Sequence, residues 1–139
     1  MTDVKKYTVY ILEENKELLN NIKENLTKTT NFTVVGTSDN ATSCLNYLST
    51  NNCDLLIIDL MLTNIDGIGV LNKLKEINSR AYNKVVCITS FTNPLICESL
   101  EKLNVSYCFK QPFDINYFTT TLNSIMKISL EDIKDMSQN

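Results

Sequence analysis

The sequence predicts an α/β protein, a doubly wound five-stranded parallel sheet with helices on both faces. Three observations carry that prediction. Five short runs rich in β-branched and large apolar residues alternate with segments of helical spacing, and parallel neighbours require such crossover connections. The inner runs LLII (55–58) and VVCI (85–88) are apolar without alternation, as strands covered on both faces are. A chain of 139 residues, 43% hydrophobic and 21% charged, can bury one core and leaves little for a second domain.

In chain order, strands are expected over 8–12, 32–36, 55–58, 85–89 and 106–109. Leu18, Leu19, Ile22 and Leu26 mark the first helix, Ala41, Cys44, Leu45 and Leu48 the second, and Leu71, Leu74 and Ile77 the third. A fourth helix fits 94–103, with Pro94 tolerated in its first turn. A fifth fits 115–128, with Asp114 as N-cap and Ile115, Phe118, Leu122 and Ile125 on one face. The domain is thus expected over 5–128, and SLEDIKDMSQN (129–139) reads as a polar tail or the start of a linker.

Composition narrows the function. The formal charge of -3, with lysines and acids interspersed, offers no basic face for phosphate backbones, so direct nucleic-acid binding by this segment is not expected. No leader and no apolar run near eighteen residues is present, which points to no membrane partner and a cytoplasmic location. Histidine is absent, and the five cysteines are odd in number without CxxC spacing. Zinc sites and histidine acid/base chemistry are therefore disfavoured, and the thiols are expected to be buried and reduced.

An open parallel sheet binds ligands beyond the carboxyl ends of its strands, where the winding order reverses. Glu13 and Glu14 follow strand one, Asp59 follows strand three, Thr89 and Ser90 follow strand four, and KQPFD follows strand five. Three carboxylates meeting at one edge repel unless a cation intervenes, and an all-oxygen set suits Mg²⁺. Each residue also has a simpler reading: Asp59 can cap its turn, the hydroxyls can bond local backbone, and the glutamates can be solvated charge beside an Asn15 cap.

The set ILEEN, LLIIDLMLTNIDGIGVL, VVCITSF and YCFKQPFD resembles the receiver domain of bacterial response regulators, most closely receivers of the stage 0 sporulation protein A type. The likeness spans nearly the whole chain. It implies the flavodoxin-like strand order 2-1-3-4-5 and a part in a two-component or phosphorelay system, with no enzymatic activity beyond phosphoryl transfer to the chain itself. The phosphoryl group would come from a histidine kinase or phosphotransfer protein and be accepted on Asp59. Mg²⁺ would be held by Glu13, Glu14, Asp59 and the Met61 carbonyl. Thr89 would move onto the phosphoryl group with Ser90 as a further contact. Homodimers would form through helix four, strand five and helix five, and the bond before Pro112 would be cis.

The pattern is broken in several places. The family carries a lysine directly before the strand-five proline, and a gap-free count puts Gln111 there, with Lys110 one place early. Successive strand side chains point to opposite faces, so the pocket is expected to hold an amide unless a bulge restores Lys110. The same count puts Cys108 where the family has an aromatic switch residue. Glu13 and Glu14 stand where aspartates are usual, so Mg²⁺ binding is expected to be weak or atypical. Thr63 replaces a turn proline, a change expected to matter least. The expectation is an impaired phosphoacceptor; the alternative is a phosphorylation-independent pseudo-receiver used for dimerisation or protein interaction.

Overall fold

Five runs dense in Val, Ile, Leu and Tyr extend because branched and aromatic side chains pack well on a pleated surface. The computed structural model describes residues 6–138, with side chains over 6–127. The expected domain start at 5 and the last tail residue, 139, lie outside the described residues. The elements are β1 (Tyr7–Leu12), α1 (Lys16–Lys28), β2 (Phe32–Ser38), α2 (Ala41–Thr50), β3 (Cys53–Asp59), α3 (Gly67–Ile77), β4 (Tyr82–Thr89), α4 (Pro94–Lys102), β5 (Tyr107–Lys110) and α5 (Ile115–Gln138). All strand pairs are parallel and the order is β2-β1-β3-β4-β5, as expected.

Two apolar layers sandwich the sheet. Leu56, Ile58, Val85 and Cys87 pack with α2, α3 and α4, whereas Leu55, Ile57, Val86, Ile88 and Phe109 pack with α1 and α5. Every residue of β3 from Leu55 to Ile58 is fully buried, which explains why LLII shows no alternation. Of the five free thiols, Cys44, Cys53 and Cys87 are buried and raised in pKa by that burial, Cys108 is half-buried, and Cys97 is exposed.

Crossover connections place every helix start at the edge where strands end. Asn15, Asn40, Asp66 and Asn93 cap α1 to α4, each side chain accepting from the backbone N–H three residues on. Asp114 does the same for α5, accepting from the N–H groups of Asn116 and Tyr117. The backbone of α5 continues ten residues past the expected end at 128. Leu130, Glu131, Lys134 and Met136 are good helix formers, and neither Gly nor Pro interrupts them.

Candidate functional site

The pairing of β1 with β3 builds the centre. Leu12 stands opposite Ile58, so the next residues, Glu13 and Asp59, leave the sheet side by side. Asp59 is 6% exposed, and its Oδ1 accepts from the Met61 N–H at 2.8 Å, a local Asx turn that fixes the carboxylate. Glu13 is fully buried. Its Oε2 accepts from the Asn15 N–H at 3.0 Å, while Oε1 has no donor. Burial, and then the adjoining Asp59 carboxyl, push the Glu13 carboxyl up to about 8. Two ionised carboxylates cannot donate to each other; once protonated, Glu13 can donate to Asp59, which gives Oε1 a partner.

Glu14 takes a different path. It is exposed, and its carboxylate accepts a hydrogen bond from the Thr63 hydroxyl in the β3–α3 connection. The structure therefore brings two of the three expected carboxylates together, and among the described residues no three acidic or thiol side chains gather tightly enough to ligate one ion. The remaining pair still suits a hard cation, because Mg²⁺ takes one or two carboxylates and keeps several waters. The unpartnered Glu13 Oε1 beside Asp59 is the observation behind that fit, and Met61 follows closely enough for its carbonyl to contribute.

Thr89 is fully buried at the end of β4. Its hydroxyl donates to the Phe91 carbonyl at 2.7 Å and accepts from the Phe91 N–H at 3.1 Å, so here it serves the local turn. Ser90 is exposed.

The β4–β5 register is unbroken from Val86 opposite Tyr107 to Thr89 opposite Lys110, leaving no bulge within β5. Cys108 packs in the α2–α4 layer and Phe109 in the α1–α5 layer. By alternation, Lys110 falls on the side of Cys108, and Gln111 on the side of Phe109, Ile57 and hence Asp59. The Gln111 N–H donates to the Thr89 carbonyl at 2.8 Å and its bond to Pro112 is cis. Half-buried Gln111 lines a cleft with Asn15, Glu17, Leu18 and Asn21 of α1, whereas Lys110 is exposed. Neither side chain bonds or pairs with Asp59 among the described residues. Spacing alone gave no sign that Thr63 would hold Glu14; a hydroxyl in place of the turn proline was the signal available.

The response regulator receiver domain family matches residues 9–123. Among solved structures, the Francisella response regulator 1452 receiver domain is 22% identical, with 89% of this chain and 99% of that one covered and a TM-score of 0.75. The isolated receiver domain of RcsB from Salmonella enterica serovar Typhimurium is 21% identical, with 88% and 90% covered and a TM-score of 0.77. A CheY-like receiver domain protein from Methanospirillum hungatei is only 12% identical, yet reaches a TM-score of 0.80 with 92% and 99% covered. Identities this low speak for the fold, while the family match spans most of the chain and runs through both strand ends that carry the acidic pair: the chain belongs to the response regulator receiver domain family.

Proposed function

We propose that this receiver is of the sporulation-regulator type, residues 5–128 forming the unit and 129–139 leading away from it, and that it accepts a phosphoryl group on Asp59 with reduced efficiency. The donor is a phosphohistidine on a histidine kinase or phosphotransfer protein: the P–N bond breaks as a carboxylate oxygen of Asp59 forms the P–O bond. The observation supporting this is the buried Glu13–Asp59 pair, with Asp59 fixed by the Met61 N–H and Glu13 Oε1 lacking a donor. Glu13, Asp59 and the Met61 carbonyl would hold Mg²⁺, whose charge would offset that of the phosphoryl oxygens. Thr89 and Ser90 would meet those oxygens only after the hydroxyl of Thr89 leaves Phe91.

Reduced efficiency follows from Gln111. A neutral amide in place of an ammonium forfeits a charge-assisted hydrogen bond worth roughly 1.5–3 kcal/mol, part of which the amide N–H recovers. Acetyl phosphate with Mg²⁺ should add one phosphoryl group by intact mass, and Asp59→Asn should abolish it. No added mass at saturating reagent sinks the reading.

A second reading, a pseudo-receiver acting as a dimerisation or protein-interaction module, is favoured by three groups turned elsewhere: Thr89 onto Phe91, Glu14 onto Thr63 and Lys110 to solvent. On that reading Asp59→Ala leaves self-association and partner binding unchanged; a large loss counts against it.

A further inference from the structure

Glu13 and Glu14 are adjacent and chemically identical, yet one is sealed against Asp59 and the other is exposed and hydrogen-bonded to Thr63. Thr63 stands four residues beyond Asp59, in the connection that leads to α3. A proline at this position would have no side-chain donor to offer Glu14. Glu14, Thr63, Asn64 and Ile65 line one cavity with Asp39 and Asn40 at the start of α2, so the carboxylate bonded to Thr63 borders that cavity, and among the described residues it does not complete a three-carboxylate cluster with Glu13 and Asp59.

We infer that Thr63 is a positioning residue that competes with Mg²⁺ for the Glu14 carboxylate. The inference rests on the Mg²⁺ role proposed for Glu13 and Asp59. Both Thr63 and Glu14 are exposed, so water can replace either partner and the bond biases Glu14 without locking it. A third carboxylate reaches the ion, directly or through a bound water, only in the fraction of molecules in which Glu14 has left Thr63. Because the latched state still offers Glu13 and Asp59, apparent affinity is lowered by at most that fraction, and a latch closed in about 70–90% of molecules weakens binding by up to roughly three- to tenfold. The two glutamates then have separate duties: Glu13 is a fixed ligand and Glu14 an adjustable one.

The test is calorimetric titration of Mg²⁺ into the full chain. Thr63→Val and Thr63→Ala should each tighten binding, by up to about tenfold. Thr63→Ser, which keeps the hydroxyl, should match the parent chain, and in a Glu14→Gln background Thr63→Val should give no gain. Binding no tighter in Thr63→Val and Thr63→Ala, or a gain that persists with Glu14→Gln, overturns the latch and leaves the Mg²⁺ assignment standing. No Mg²⁺ binding by any variant overturns both.

Discussion

Glu13 has no exposed surface, and its carboxyl is pushed up to about 8, first by burial and then by the Asp59 carboxyl beside it. In the unfolded chain the same group returns to about 4.5. Between those values the folded state holds a proton that the unfolded state has released, so stability falls as pH rises through that window. Without divalent cations, denaturant melts from about pH 5 to pH 8 should show a decline of at most about 1.4 kcal/mol per pH unit from this group. Glu13→Gln should flatten it; stability that climbs over the same range contradicts the assignment. Gln111 yields a second prediction at this scale. The unbroken register puts it on the side of Asp59, so Gln111→Lys should raise the rate of labelling by acetyl phosphate about tenfold, in line with a bond worth roughly 1.5–3 kcal/mol less what the amide supplied. Lys110→Gln should change it little. The reverse pattern, with Lys110→Gln crippling, would place the ammonium in the pocket.

Gly67 is the point where an element controls the site. It opens α3, and its N–H donates to the Leu60 carbonyl at 3.1 Å. A Cβ there would lie 2.7 Å from the Asp59 carbonyl oxygen and 2.8 Å from the Leu60 Cα, both backbone atoms that cannot rotate aside. Gly67→Ala should therefore push α3 off the end of β3, cost about 1–3 kcal/mol in denaturant melts, and lower Asp59 labelling with it. Gly69→Ala should cost less: its Cβ meets the Ile65 side chain, which can shift, and helix propensity offsets about 1 kcal/mol. Equal losses from the two changes would sink this account. Element types and order were legible because buried parallel strands write themselves as apolar runs and the crossovers as helical spacing. Strand starts were less so: β3 begins at Cys53 and β4 at Tyr82, where polar Asp54, Asn83 and Lys84 interrupt the pattern although Cys53 pairs with Tyr82 and Leu55 with Lys84. Asp54 is tied there by accepting from the Thr8 N–H and hydroxyl, a long-range clasp that no local rule reveals. The strand ends were legible for the same reason as the strands, and they placed Glu13, Asp59, Thr89 and Gln111. The partners chosen by Glu14 and Thr89 were not, because competing hydrogen bonds differ by about 1 kcal/mol and leave no trace in spacing.

At the scale of the whole molecule, the sheet order leaves β2 and β5 at the edges, and β5 is only four residues long. Large apolar side chains are exposed on the last three elements: Leu95 on α4 is 75% exposed, Tyr117 on α5 52% and Tyr107 on β5 37%. The two tyrosine hydroxyls are hydrogen-bonded to each other, and both rings pack on Phe109, so this patch is held in shape before anything meets it. A short edge with preorganised aromatics is poorly suited to strand addition and better suited to face-to-face contact, in which little side-chain entropy is lost. A stable pair needs about 800 Å² from each partner, more than these three side chains supply, so the faces of α4 and α5 must join them. The Glu98–Lys102 pair on α4 is exposed and lies within one helical turn, so it contributes little. The expected outcome is self-association when Asp59 is loaded with beryllofluoride and Mg²⁺, read by sedimentation. Leu95→Glu or Tyr117→Glu should return the protein to monomer while leaving acetyl phosphate labelling of Asp59 intact. Because the drive is apolar, raising salt should leave the dimer in place, whereas a charge-driven pair would dissociate. A monomer under every condition, or a dimer indifferent to both substitutions, would assign this patch no part in pairing.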